Sequence, residues 1–397
     1  MNTRFAHRMD NVRTSTIREI LKVTEQPEII SFAGGLPAPE LFPVDNILCA
    51  AERVLRETGA AALQYSPSEG FAPLREVFAA ESRKRGIACC AEDILIVTGS
   101  QQPLDLMGKI FLDAGDCVLT ESPTYMAAIQ AFQTYGARFA SVPTDDQGLI
   151  PEQMPALIER ERPRFLYTIP NFQNPTGVTL TAKRRETLYS IAVRYGLIVL
   201  EDDPYGALRY AGKTIPPIKA LDTEGIVVYQ STVSKTIAPG LRIGWVVASK
   251  EIRGKLTIAK QAADLHTSSL DQRIAHRYLA DFDSEAHMET IRRSYGERYS
   301  IMDATLRETM PPGFKWTHPE GGMFLWVTCP KGVNTNELMR DAFARKVLFV
   351  PGQDFFSDAP GLRYMRLNFS NASPEHIREG IGRLAKVCAA AVHQAIG

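Results

Sequence analysis

The chain has 397 residues, too many for one compact core, and domain-size statistics point to two domains or to one large domain with a satellite. Hydrophobic residues at 45% and charged residues at 23% exclude a disordered or fibrous chain. With 45 basic against 45 acidic side chains, the charge balance gives no reason to expect nucleic acid or an anionic membrane as partner, which leaves small molecules.

In chain order, residues 1–19 are polar and charged without the apolar core of a signal peptide. No stretch approaches the ~18 to 20 apolar residues that a membrane span needs, so neither export nor anchoring is expected and the location reads as cytoplasmic. Thr16-Ile17-Arg18-Glu19 fits a capping box that opens a helix with Ile17, Ile20 and Leu21 as its apolar stripe. Gly34-Gly35-Leu36-Pro37-Ala38-Pro39 reads as a hinge or loop between that helix and the large domain.

From about residue 90 to 250, short apolar, β-branched runs alternate with helical patterns, the texture of a buried and mostly parallel sheet. Seven runs stand out: 94–99, 117–122, 138–143, 165–170, 197–202, 225–232 and 242–249. The last two are too close for a helical crossover, which predicts that the pair is antiparallel or joined by a tight loop, and hence a mixed sheet. Beyond about residue 285 come a long charged helix, apolar runs at 321–327 and 364–370, and a final amphipathic helix, a smaller α+β unit. The expected division is 1–45 as an N-terminal helix and hinge belonging to the small domain, 46–285 as the large domain and 286–397 as the small domain. The six cysteines, Cys49, Cys89, Cys90, Cys117, Cys329 and Cys388, show no metal spacing and read as reduced thiols; no metal site is expected.

Open α/β sheets bind ligands beyond the C-terminal ends of their strands, and those ends carry a consistent set of residues. Gly99-Ser100-Gln101 opens a helix whose free N–H groups suit a phosphate. Ser122-Pro123-Thr124-Tyr125 brings an aromatic ring to the same edge. Asn171 to Gly177 forms an Asn-Pro turn. Glu201-Asp202-Asp203-Pro204-Tyr205 ends an apolar strand in acids, costly unless they meet a cation such as a protonated pyridine. Thr232-Val233-Ser234-Lys235 sets a lysine among hydroxyls, with Arg242 seven residues later, either as a surface cation or as a nucleophilic amine. Singly, each segment also reads as a cap, a packing ring or a turn.

Together, the run that begins at Thr232 resembles Ser-x-Ser/Thr-Lys-x-x-x-Pro-Gly-x-Arg-x-Gly, the cofactor-lysine signature of fold-type I aminotransferases dependent on pyridoxal 5'-phosphate (PLP). The upstream Asn-Pro-x-Gly and Asp-x-x-Tyr segments stand in the expected order. The resemblance spans essentially the whole chain and is closest to the branch of 2-aminoadipate and kynurenine/aminoadipate aminotransferases. Supporting segments are Ser15 to Glu19, Ser31 to Pro37, Leu63 to Pro67 and Tyr364 to Ser370. It implies an α/β fold of type I, with a seven-stranded, mostly parallel mixed sheet flanked by helices and a smaller α+β domain.

The resemblance further implies that Lys235 carries PLP as a Schiff base and shuttles the substrate proton, that Asp202 pairs with the pyridinium nitrogen, and that Asn174 and Tyr205 hold the phenolic oxygen. Tyr125 stacks on the ring, and Ser100, Gln101, Thr232, Ser234 and Arg242 cradle the phosphate. Tyr65 comes from the neighbouring subunit, which makes a homodimer with shared active sites the minimal unit. Thr232 departs from the serine of many relatives but keeps the hydroxyl.

Tyr364 to Ser370 alternates, with Met365, Leu367 and Phe369 on one face, so Arg366 is expected to point away from the packed face. By resemblance it grips the substrate α-carboxylate with Asn174 and the Gly34-Gly35 backbone. Arg18 has two readings. In one it binds the distal carboxylate of aminoadipate or glutamate with help from Ser15; in the other it is a surface arginine paired with Glu19 or Glu25. His266-Thr267-Ser268-Ser269 either borders the partner's site or caps a helix. The expected activity is transfer of an amino group from an L-amino acid to a 2-oxo acid such as 2-oxoglutarate. A PLP-dependent β-lyase is the alternative, and a ligand-sensing regulator is disfavoured because a DNA-binding domain has no room before residue 15.

Overall fold

The computed structural model describes residues 5–9 and 28–396. Its strands are β1 (Ile30–Ser31), β2 (Ile94–Val97), β3 (Cys117–Ser122), β4 (Arg138–Asp145), β5 (Gly148–Leu149), β6 (Phe165–Thr168), β7 (Ile198–Asp202), β8 (Val227–Thr232), β9 (Gly244–Val247), β10 (Lys315–Trp316), β11 (Phe324–Thr328), β12 (Val347–Leu348), β13 (Val350–Pro351) and β14 (Tyr364–Asn368). The helices that bear on the site are α1 (Val44–Ala62), α2 (Ala72–Lys84), α3 (Gln101–Phe111), α4 (Met126–Gln133), α5 (Ser269–Asp281), α6 (Ser284–Thr309) and α7 (Pro374–Ile396).

Strands β2 to β9 form one sheet in the order β2-β9-β8-β7-β6-β3-β4-β5. The five central strands β8, β7, β6, β3 and β4 are parallel, and β9 runs antiparallel to both β8 and β2. The close spacing of β8 and β9 had predicted that reversal. The sheet has eight strands rather than seven: β5 is a two-residue hairpin return on β4, too short to leave a hydrophobic pattern. Strands β2, β6 and β8 are buried at every residue, as expected where helices cover both faces.

A second, antiparallel sheet has the order β10-β11-β14-β13, and β1 pairs in parallel with β12. The long helix α6 and the C-terminal helix α7 pack against each other beside it. The segment after β1 then crosses β14: the Phe32 carbonyl accepts from Asn368 N at 2.8 Å, and the Leu36 carbonyl from the Ser370 hydroxyl at 2.8 Å. It is a loop, as its glycines and prolines predict, and it is pinned at both ends. Among the described residues no helix is long and apolar enough to cross a membrane.

Four adjacent parallel strands ending together define one edge. The residues just past β3, β6, β7 and β8 are Tyr125, Asn174, Asp202 to Tyr205, and Lys235, so topology alone gathers them from over a hundred residues of sequence.

Candidate active site

Lys235 ends the first of two 3-10 turns between β8 and β9. Its Nζ donates to the Gly35 carbonyl at 2.7 Å and meets no carboxylate among the described residues. Burial, then the charges of Arg366 and Arg242, pull its ammonium down to about 8. The amine is therefore accessible as a neutral nucleophile or base near neutral pH. The turn is held by Thr232, whose hydroxyl oxygen accepts from Ser234 N at 3.1 Å while its proton goes to the Ile243 carbonyl at 2.8 Å. The Ser234 hydroxyl lies 2.8 Å from that of Thr232. Thr232 is thus committed to building the lysine turn.

Asp202 ends β7 and is buried. Tyr167 donates its hydroxyl to Oδ2 at 2.8 Å, but Oδ1 has no hydrogen-bond partner among the described residues. Burial pushes its carboxyl up to about 7, opposed by the neighbouring Gln230 amide and Tyr167, while Asp203 adds to the rise. A buried carboxylate with one free oxygen is costly and calls for a cationic or donor partner. Tyr125 precedes α4, and burial, then Asp202, raises its phenol while Arg366 and Arg242 oppose. Tyr205 is buried and accepts from Asn174 Nδ2 at 3.3 Å.

Arg366 lies on the face of β14 that strand alternation predicts. It does face away from Met365 and Leu367, but that second face of β14 is also covered, and Arg366 is only 2% exposed. One guanidinium nitrogen donates to Asn174 Oδ1 at 2.8 Å and another to the Ala33 carbonyl at 2.7 Å. The group sits 4.2 Å from the Phe324 ring centroid and 5.2 Å from that of Phe355, and Nε has no partner among the described residues. Burial pulls it down to about 10. Among the described residues no carboxylate pairs with it, and a buried, uncompensated guanidinium suits an anion.

The Gly99 turn supplies donors. Gly99 has φ +68°, and a Cβ there would lie 2.5 Å from an Arg242 guanidinium nitrogen, so Arg242 packs directly on the turn. Ser100 caps α3 without using its side chain on the helix, and Gln101 is exposed. Tyr65 is 78% exposed, with its ring edge-on to His266 at 5.8 Å and no hydrogen bond from its hydroxyl among the described residues. Ser268 caps α5 by accepting from Asp271 N at 3.3 Å, so that segment does cap a helix. Ser15 and Arg18 lie outside the described residues.

The chain matches the family described as aminotransferase class I and II over residues 29–384. It belongs to that family. It is 46% identical to the 2-aminoadipate transaminase of Thermus thermophilus over 378 residues, 94% of each chain. It is also 45% identical to aromatic-amino-acid aminotransferase 1 of Thermococcus litoralis, covering 96% of this chain and 93% of that one. Among solved structures it resembles the Thermus thermophilus alpha-aminoadipate aminotransferase complexed with N-(5'-phosphopyridoxyl)-L-leucine, with a TM-score of 0.92, 43% identity and 98% of both chains covered.

Three carboxylates of this aminotransferase escape a reading by motif. Asp203, beside Asp202, pairs with Arg85 at 2.7 Å and accepts from Asn171, Tyr229 and the Gly206 backbone, which ties the strand end down. Glu201 points to the other side of β7, where the backbone N–H groups of Ile218 and Lys219 donate to it at 2.8 Å each. Glu121, at the end of β3, receives three donors from β6 and the Asn174 loop. A cavity of about 830 Å³ opens behind the lysine turn, walled by Arg85, Asp203, Trp245, Tyr278, Met288 and Arg292. Its arginines are already engaged, Arg85 with Asp203 and Arg292 with Glu285.

Proposed function

We propose that this aminotransferase binds pyridoxal 5'-phosphate on Lys235 and transfers the amino group of an L-amino acid to a 2-oxo acid such as 2-oxoglutarate. The carrying observation is Lys235 itself: a withdrawn amine, bonded to a carbonyl and flanked by two arginines instead of an acid. The surrounding residues fit the group. The partnerless Asp202 oxygen suits a protonated ring nitrogen, and the Gly99 turn with Arg242, Ser100, Gln101 and Ser234 suits a phosphate. Thr232 would serve that phosphate only by giving up a bond it now makes. Asn174 and Tyr205 suit the phenolic oxygen, and Tyr125 suits a ring face.

When bound, PLP supplies an electron sink for the charge left on the substrate carbon after its proton departs. The chain's own part is to position and to move protons. Lys235 takes the proton from the substrate carbon and returns it, which its lowered affinity for protons permits near neutral pH. Asp202 keeps the ring nitrogen protonated. Arg366 binds the α-carboxylate, with Asn174 and the Gly35 backbone fixing its register. Arg18 and Ser15 are proposed to meet a distal carboxylate, as in a 2-aminoadipate or glutamate donor.

Residues 46–285 form the large domain, and 1–45 join 286–397 in the small one, supported by the pairing of β1 with β12 and by α6 starting at Ser284. A homodimer is supported by the apolar face of α1 and by exposed Tyr65. The six free cysteines fit the cytoplasm.

The test is a titration with PLP followed by a screen of amino donors against 2-oxoglutarate and pyruvate. The wild type is expected to acquire the absorbance of a lysine-bound cofactor and lose it on adding a donor, and Lys235→Ala to do neither. Arg18→Ala is expected to weaken dicarboxylic donors at least tenfold more than apolar ones. Failure to bind PLP overturns the reading, equal losses for both donor types overturn the specificity, and ammonia release without an acceptor assigns elimination instead.

A further inference from the structure

Glu121 is a fully buried acid that no step above uses. It is the penultimate residue of β3, just before Ser122-Pro123-Thr124-Tyr125, and its carboxylate looks across to β6 and the loop beyond it. Oε1 accepts from the Thr168 hydroxyl at 2.9 Å; Oε2 accepts from Ile169 N at 3.1 Å and from Gln173 Nε2 at 3.2 Å. All three bonds are donated to the carboxylate, two of them from N–H groups that cannot accept. Burial pushes the carboxyl up to about 7, and the three donors hold it down against that rise.

Gln173 carries the connection onward. Its second Nε2 hydrogen goes to the Pro123 carbonyl at 2.8 Å, and its Oε1 accepts from Thr176 N at 2.9 Å and from the Thr176 hydroxyl at 2.7 Å. The amide is then saturated. One side of it ties the backbone two residues before Tyr125, and the other closes the turn that presents Asn174. Asn174 in turn donates to Tyr205 and accepts from Arg366.

We propose that Glu121 is a positioning residue which, through Gln173, locks the Tyr125 loop to the Asn174 turn and so sets the cofactor ring and the substrate carboxylate in one register. The proposal rests on the PLP reading above. It predicts that disturbing Glu121 alters the environment of the cofactor's phenolic oxygen and the grip on the carboxylate together, although Glu121 touches neither.

Glu121→Gln is nearly isosteric but removes the charge and turns one acceptor into an NH2, which either reverses the Thr168 bond or faces the Ile169 and Gln173 donors. With PLP loaded, it is expected to keep at least half of the wild-type cofactor content, to shift the pH midpoint of the lysine-bound cofactor absorbance by half a unit or more, and to lose tenfold or more in kcat/KM, mainly through KM. Gln173→Ala removes the link while leaving Glu121 two of its donors, and is expected to reproduce both effects. The double variant is expected to be no worse than the poorer single one. A wild type without PLP overturns the underlying reading. If the wild type loads PLP, an unchanged absorbance midpoint in either variant overturns this proposal, as do strictly multiplicative losses. If Glu121→Gln does not fold, Gln173→Ala alone decides in the same way.

Discussion

At the scale of single residues, Asp202 gives a stability prediction whose sign is set by burial. Its carboxyl ordinarily titrates near 3.8 and here is pushed up to about 7, so the folded protein holds a proton there that the unfolded chain has released. Its contribution to stability is therefore fully present below about pH 3.8 and is lost as pH rises through about 7. Above that point the fold carries a buried charge with one partnerless oxygen. In cofactor-free protein, Asp202→Asn removes the charge but keeps an acceptor for Tyr167. The variant is expected to melt a few degrees above the wild type at pH 8, with the gap closing towards pH 5, as read by calorimetry at both values. Glu121 and Glu201 are also raised to about 7 and make both proteins less stable at high pH, so only the difference between the two isolates Asp202. With PLP present the order is expected to reverse, since only the carboxylate pairs with a ring cation. A variant that gains nothing at pH 8 without cofactor would mean that the orphaned oxygen is not the source of strain.

At the scale of elements, the turn from β8 into β9 shows what a sequence discloses and what it withholds. Lys235, its flanking hydroxyls and Arg242 lie within eleven residues, so their grouping was legible from spacing and from family resemblance, and the brevity of the connection gave the antiparallel return. The employment of Thr232 was not legible, because its acceptor, the Ile243 carbonyl, comes into range only when β9 folds back. Distance in sequence explains the other gaps as well. Arg85 reaches Asp203 across more than a hundred residues, and the donors that make Glu121 useful belong to another strand and loop. The period of β14 did place Arg366 on the correct face, but no period says that the Ala33 segment covers that face. Thr232→Val is nearly isosteric and strips the turn of its cap, which costs about 1 kcal/mol in comparable helical caps. It is expected to weaken PLP binding about tenfold by absorbance titration, whereas Thr232→Ser, which keeps the hydroxyl, stays within twofold of wild type. Equal behaviour of the two variants would remove the cap from the account of Lys235.

At the scale of the whole molecule, one face of α1 stands unburied. Val44 and Leu48 are each 66% exposed and Leu55 lies on the same helical face, while the opposite side of α1, with Ala50 and Val54, packs into the core beneath β2 and β9. Leu63 and Tyr65 extend the exposed apolar surface past the end of the helix. A two-fold partner would cover such a face with its own copy and could carry Tyr65 into the neighbouring site. Complementation separates that arrangement from a Tyr65 that serves its own chain. Lys235→Ala has no amine, and Tyr65→Ala lacks the phenol. In a mixed dimer, the site containing Lys235 from the Tyr65→Ala chain would receive Tyr65 from the Lys235→Ala chain and be complete, while the second site would lack both. Random re-association of equal amounts makes half of the dimers mixed, so about a quarter of all sites would be intact. Mixing under conditions that allow exchange is therefore expected to raise the intact-site fraction, measured as tight PLP binding, to about that level above the values of the two parents. If Tyr65 acts within its own chain, every mixed dimer holds one site without the amine and one without the phenol, and exchange restores nothing.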